Sequence, residues 1–178
     1  MINTLSQFVL AGFLAQEQTV PDIPVVTVCE AILNRDRYNR KAIIVVGLLG
    51  WTFEGNWLSE NCERKIVTDG YEWPNMLSVD LDVTKTIPLI LPMGFEWDME
   101  VLNKKLKTVQ ETTKLSGSSK GPFSAHWVAM FGRFETRTPL RSMIGNGGKV
   151  VGFGFGHLNS APARIISCSE TSLRLEPK

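Results

Sequence analysis

The chain has 178 residues, of which 43% are apolar and 21% charged, with a formal net charge of +1. These values are ordinary for a soluble globular protein built around one domain. The 19 basic and 18 acidic residues lack the basic excess that is typical of a dedicated nucleic-acid-binding protein. Three cysteines without a C-x-x-C pair and two histidines argue against a zinc site, so we expect neither metal nor cofactor.

Residues 1–24 are interpreted as a leader or extension followed by a linker, and residues 25–178 as the folded domain. The apolar part of residues 1–15 is about as long as a signal peptide but shorter than the roughly 20 residues that span a bilayer, so no transmembrane segment is expected. It lacks both the initial basic residue and the small-x-small cleavage site of an export signal. Two interpretations stay open: an atypical export signal, and an amphipathic helix that docks on a partner.

The folded domain opens with a short helix and a long strand. A threonine and a glutamate three residues apart form a capping box, which predicts a helix over about Val28 to Leu33. After a polar turn, Ala42 to Phe53 is the strongest strand signal in the chain. Its internal glycines, Gly47 and Gly50, are typical of a strand that bends sharply to close a small barrel.

Further elements follow in a recognisable order. Trp57 to Ser59 returns as a short strand, Lys65 to Val67 resumes pairing, and Met76 to Leu81 alternates apolar with polar residues. Glu96 to Leu115 carries an apolar stripe with helical spacing. The remaining strand predictions are Phe123–Thr136, Val150–Gly156 and Ala163–Ser167.

This pattern predicts a mainly β protein with one long helix. The order β-β-β-α-β-β is that of the OB-fold, a five-stranded Greek-key barrel, here with an N-terminal helical extension. A split β-sandwich could carry the same order. In the barrel, we expect the long helix around Leu102 to plug the open end.

The cysteines differ in their surroundings. Cys29 and Cys62 flank the first strand in polar, loop-like contexts, whereas Cys168 follows an apolar strand. We predict a Cys29–Cys62 disulfide and a buried free Cys168. Three reduced thiols in a cytosolic protein are the alternative.

One family resemblance rests on particular residues. Asp36 to Lys41, followed by Ile43-x-Val45-x-Gly47, resembles the Tyr-x-x-Lys turn and Val-x-Val-x-Gly strand of small, mostly exported and uncharacterised bacterial OB-fold-like proteins. Other similar segments are Cys62, Trp73-Pro74 and Gly156-His157-Leu158-Asn159. The resemblance spans about Cys29 to Ile166. It implies the fold and favours a periplasmic or secreted location over a cytoplasmic one, and it implies no activity.

Aromatic residues concentrate on the first three strands and their loops, and strands two and three form the usual binding face of an OB-fold. The ligand-binding candidates are Trp51, Phe53, Trp57, Arg64, Lys65, Tyr71, Trp73 and His157. Rings there can stack on bases or sugars, and further charge could come from Arg35, Arg37 and Arg40. The alternative is that most of these rings belong to the barrel core.

We therefore expect a non-enzymatic binding or structural module, its partner an unknown protein or small ligand. Binding of single-stranded nucleic acid or oligosaccharide on the face of strands two and three is a second interpretation, and nucleic acid is a possible partner but not the favoured one. A small hydrolase that uses His157 with a nearby nucleophile or carboxylate is a third. No catalytic residue is assigned, because sequence cannot show hydrogen-bond reach.

Overall fold

The computed structural model describes residues 22–81, 90–114, 125–167 and 171–176. The helices are α1 (Val28–Leu33), α2 (Arg35–Tyr38) and α3 (Met99–Lys114). The strands are β1 (Val25–Thr27), β2 (Ala42–Thr52), β3 (Gly55–Ser59), β4 (Val67–Thr68), β5 (Tyr71–Glu72), β6 (Met76–Leu81), β7 (His126–Thr136), β8 (Ser142–Ile144), β9 (Val150–Gly152), β10 (Ala163–Ser167) and β11 (Ser172–Arg174). The predicted leader and Cys168 lie outside the described residues.

Five strands close into a barrel in the order β2–β3–β6–β10–β7, and β7 pairs back onto β2. The β6–β10 pair is parallel and the other barrel pairs are antiparallel. Outside the barrel, β1 lies parallel to β2 and β11 antiparallel to β7. The prediction of a mainly β protein with a closed five-stranded barrel and one long helix is confirmed, and the barrel is consistent with an OB-like one.

Alternate residues of β2 point to opposite sides of the barrel wall. Ile43 and Val45 belong to the interior cluster, which receives side chains from all five barrel strands, whereas Ile44 and Val46 belong to a separate outer cluster. All four side chains are buried. The continuous apolar run in the sequence therefore reflects a strand that is covered on both faces.

The long helix covers the outer face of the barrel. Leu102, Leu106 and Val109 of α3 are buried in the outer cluster with Ile44 and Val46. The expectation that this helix plugs the open end of the barrel is wrong, because the outward side of β2 is itself apolar and has to be buried. The side chains that join the interior cluster from helices come from α1 and from Tyr38 of α2 instead.

Helix α1 begins as predicted. The Thr27 hydroxyl accepts the backbone N–H of Glu30 at 3.2 Å, and the Glu30 carboxylate accepts the N–H of Thr27 at 2.9 Å, so the capping box is complete. Lys105 of α3 forms an ion pair with Glu30 at 2.6 Å. The first turn of α1 is thereby tied both to its own cap and to the long helix.

Several strand boundaries differ from the prediction. The segment around Lys65 contributes no barrel strand; instead, β4 and β5 form a small hairpin beside it. The predicted strand from Val150 to Gly156 ends at Gly152, where β9 pairs with β8. The long strand predicted from Phe123 is described from His126 onward. The sequence does not predict strands β1, β8 and β11, because three-residue segments carry too little periodicity.

The predicted disulfide is confirmed. Cys29, on the first turn of α1, is bonded to Cys62, with an S–S length of 2.03 Å and Cα atoms 5.5 Å apart. The bridge ties α1 to the loop that leads from β3 toward β4. Within the described parts of the chain, no helix has the length and apolar character needed to cross a bilayer.

Candidate functional site at the barrel tip

The hairpin between β2 and β3 carries two exposed aromatic rings. Phe53 is 93% exposed and Trp51 is 39% exposed. The Trp51 ring packs edge-on against His126, with centroids 5.5 Å apart. A nearly fully exposed phenylalanine leaves its apolar surface in water, which is unfavourable unless a partner covers it.

The segment after β9 reaches this hairpin from the other side. His157 Nε2 lies 3.5 Å from Glu54 Oε1, and the next residue, Leu158, is 78% exposed. We call the group Trp51, Phe53, Glu54, His157 and Leu158 the barrel tip. It places apolar side chains on both flanks of one imidazole–carboxylate contact.

Gly156 allows the segment to approach the barrel closely. Its φ is 70°, in the left-handed region, and a Cβ added to it would lie 2.7 Å from the Trp57 ring and 2.8 Å from Ser78 Oγ. Two backbone hydrogen bonds, at 2.9 and 3.1 Å, join Phe155 and Ala161 and close the segment. It lies over the outer faces of β3 and β6 and buries Ser78. Part of the strand face expected to bind ligand is therefore covered by the chain itself.

Two other predicted site residues form a neighbouring packing cluster. Trp73 is only 1% exposed, and its indole N–H donates to Thr68 Oγ1 at 3.2 Å. The Tyr71 ring meets it edge-on at 5.0 Å between centroids. Gly152 of β9 packs against both rings, so this cluster holds the two small hairpins together.

The predicted cations are not gathered at the barrel tip. Arg64 and Lys65 are exposed in the loop after β3, and Lys65 forms an ion pair with Glu72. Arg35, Arg37 and Arg40 precede β2, whereas the tip follows its far end. The structure thus brings His157 to Glu54, on the hairpin that also carries Trp51 and Phe53, and brings Gly156 against Trp57. The other predicted site residues lie outside this group.

An ion-pair network covers the outer face of β6, β10 and β7. Arg164 lies 2.7 Å from Asp80 Oδ2 and 2.6 Å from Glu135 Oε2, and Arg133 lies 2.7 Å from Glu135 Oε1. Partial burial opposes ionisation of Glu135, but the hydrogen bonds and charges of the two arginines outweigh it and lower the pKa of this carboxyl. The two acids and two bases form an electrically neutral group.

Glu60 is a buried acid beside the disulfide. Its carboxylate accepts the backbone N–H of Cys29 at 2.8 Å. Burial raises the pKa of Glu60 above its ordinary value of 4.5, against the opposing effect of this hydrogen bond and one with Thr27. Cys29, Glu60 and Cys62 place their ligand-type atoms within 4.8 Å of one another. Both sulfur atoms are joined in the disulfide, so neither is a thiolate ligand for a metal.

No protein family matches this chain, and no curated protein or solved structure is significantly similar to it.

Proposed function

We propose that this chain is a non-enzymatic OB-fold-like module that binds a partner through its barrel tip in an oxidising compartment of the bacterial envelope. The strand order β2–β3–β6–β10–β7, with one parallel pair between β6 and β10, supports a Greek-key barrel of OB type. The Cys29–Cys62 disulfide supports an extracytoplasmic location, because such bonds persist mainly in oxidising compartments. The resemblance of residues 29–166 to exported bacterial OB-fold-like proteins, which the sequence suggests, leads us to propose the same location.

The exposure of Phe53 is the observation that carries the proposal. The barrel buries most of its large apolar side chains, yet the Phe53 ring stays almost wholly in water at the end of the β2–β3 hairpin. Leu158 adds a second exposed apolar side chain across the Glu54–His157 contact. Aromatic residues, phenylalanine among them, are enriched in protein–protein interfaces. The tip is therefore suited to insertion into an apolar pocket of a partner protein.

Site-specific photocrosslinking tests this function. A photoreactive phenylalanine analogue is placed at Phe53, and in a matched protein at Lys107, whose side chain is 78% exposed on α3. The two proteins are irradiated in the envelope fraction of the producing cells. We expect one discrete adduct from position 53, which excess unlabelled protein competes away and which Phe53→Ser competitor does not. Absence of such an adduct, or the same adduct from position 107, would refute tip-mediated binding.

Single-stranded nucleic acid or an oligosaccharide is a second candidate, supported by the ring of Trp57 on the face of β3. The segment from Phe155 to Ala161 covers the neighbouring Ser78, so such a ligand would compete with this segment. Quenching of tryptophan fluorescence by oligonucleotides and oligosaccharides measures this binding directly. Phosphate contacts would make nucleic-acid affinity fall steeply with salt.

The Glu54–His157 contact favours the hydrolase as a third candidate. A carboxylate next to an imidazole fixes the ring orientation, as in nucleophile–histidine–carboxylate sites. An ester-hydrolysis assay that compares the unmodified protein with His157→Ala tests this candidate. Equal rates for the two proteins would remove it.

A further inference from the structure

A concave surface lies at the opposite end of β2 from the barrel tip. We call it the arginine cleft; its volume is about 520 Å³. Three segments line it: the turn before β2, the end of β7 with the loop after it, and the segment after β9. Its lining residues include Arg40, Arg137, Arg141, Phe153 and Phe155. This volume is within the usual range of small-molecule sites.

The cleft contains three positive charges without internal compensation. Arg40, Arg137 and Arg141 are exposed, and the described residues provide no ion pair to any of them. The carboxylate of Glu135, which also lines the cleft, is already held by Arg133 and Arg164. Because all three arginines line one cleft, an anion bound there would be stabilised by each of their charges.

Arg137 is held in place before any ligand arrives. Its Cζ lies 4.5 Å from the ring centroid of Phe153 and 5.1 Å from that of Phe155. Its Nε donates a hydrogen bond to the Gly154 carbonyl at 3.3 Å. The stacking and this bond fix the plane of the guanidinium and leave its terminal nitrogens as donors. A fixed guanidinium loses little side-chain entropy when it binds an oxyanion.

The backbone around Arg40 is fixed as well. Arg40 has φ 62°, and its N–H donates to the Phe134 carbonyl at 2.8 Å, while Phe134 N–H donates to the Lys41 carbonyl at 2.9 Å. Asn39 accepts the backbone N–H of Thr136 through its side-chain oxygen at 3.0 Å. On the rim, the Thr138 hydroxyl donates to the carboxylate of Asp36 at 2.9 Å, so Asp36 is bound to a threonine rather than to one of the three arginines. Two chain segments that are distant in sequence thus present their arginines from one rigid frame.

We infer that the arginine cleft binds a small molecule carrying two or more oxyanion groups. Arginine suits such a ligand because its planar fork donates two parallel hydrogen bonds to a phosphate or a carboxylate. The phenyl rings of Phe153 and Phe155 line the same cleft and supply an apolar wall for the rest of the ligand. The inference concerns a different surface from the barrel tip and stands apart from the identity of the partner bound there.

Calorimetric titration of the full chain with inorganic pyrophosphate in low salt tests the inference, with citrate as a parallel titrant. Saturable binding of pyrophosphate alone identifies a phosphoryl ligand, binding of citrate alone identifies a polycarboxylate, and binding of both supports an oxyanion site of broad specificity. We expect Arg137→Gln and Arg141→Gln each to weaken binding about 10-fold or more, because each loses charge-assisted hydrogen bonds.

Arg174→Gln is the matched control, since it removes one exposed arginine on β11, outside the cleft. Its affinity should stay within about twofold of the unmodified protein. Circular dichroism verifies folding of each variant. If Arg137→Gln unfolds, Arg141→Gln alone decides, because its exposed side chain lies on the cleft surface rather than in the core. The inference is overturned if neither titrant binds at millimolar concentration, or if the cleft variants bind as well as Arg174→Gln.

Discussion

Gly47 is the position in β2 where a single methyl group should damage the barrel most specifically. A Cβ added there would lie 2.7 Å from Val28 Cγ2 and 2.9 Å from Leu58 Cγ. Both neighbours are fully buried in the interior cluster, Val28 on α1 and Leu58 on β3. The glycine therefore provides the space through which α1 packs into the end of the barrel. Such overpacking costs about 1–3 kcal/mol in a well-packed core.

Gly50 gives a control in the same strand, because a Cβ added there would meet no heavy atom within 4 Å. Replacing glycine by alanine where the backbone permits it stabilises by about 0.4–1 kcal/mol through the unfolded chain. Gly50→Ala should thus be neutral or slightly stabilising. We expect Gly47→Ala to be less stable than Gly50→Ala by about 1–3 kcal/mol, and Gly47→Val to be worse still.

Urea denaturation followed by tryptophan fluorescence measures these differences. Combining Gly47→Ala with Val28→Ala removes the closest contact, so the double variant should recover about 1 kcal/mol relative to the sum of the single changes. Equal unfolding midpoints for Gly47→Ala and Gly50→Ala would refute the packing of α1 against β2 and β3. Simple additivity in the double variant would place the clash on Leu58 alone.

The remaining predictions concern the disulfide, the buried acid and the covering segment. Intact mass analysis under non-reducing conditions should show the protein two hydrogens lighter than its reduced form, because Cys29 and Cys62 are joined. Reduction should lower the free energy of unfolding by about 3–4 kcal/mol, since the bridge joins residues separated by 33 positions. Full alkylation of the unreduced protein would contradict both. Because the pKa of Glu60 is raised above 4.5 in the folded protein, the folded state binds this proton up to a higher pH than the unfolded chain does. The free energy of unfolding therefore falls as the pH rises from 4.5 through the raised pKa. Glu60→Gln should remove that decline in urea midpoints measured upward from pH 4.5, and an unchanged slope would count against the buried acid. Gly156→Ala should lower the thermal midpoint and shift Trp57 emission to longer wavelength as the segment lifts; an unaltered spectrum and midpoint would show that the segment does not pack there.

The sequence was sufficient for features that depend on neighbours along the chain. The capping box of Thr27 and Glu30 predicts the start of α1 because both partners lie within one turn. The long apolar run of β2 predicts a buried strand, and its glycines predict a sharp bend. The sequence does not reveal that Gly47 makes room for Val28 and Leu58. It does not reveal that Ile44 faces α3 while Ile43 faces the barrel interior. The apolar stripe of α3 predicts a buried face but not its location, which depends on contacts distant in sequence.

The candidate site residues likewise could not be located from neighbours along the chain. Phe53 and Trp73 carry equivalent signals in the sequence, yet one ring is exposed and the other buried, because the β8–β9 hairpin covers only the second. Sequence reasoning missed Arg137 and Arg141 as ligand-binding candidates, since an irregular loop has no periodicity. No sequence signal links these two arginines to Phe153, because the residues meet only in the folded chain. Only tertiary structure shows that Arg40 joins them.

Closure of the barrel between β2 and β7 positions both the tip and the arginine cleft, and interstrand nuclear Overhauser effects measure it directly. The registered pairs run from Ala42 with Arg133 to Leu49 with His126. We expect contacts between protons of the two strands throughout this register, together with slow hydrogen exchange of the β7 amides. Rapid exchange of these amides and an absence of β2–β7 contacts would show an open sheet and contradict the account.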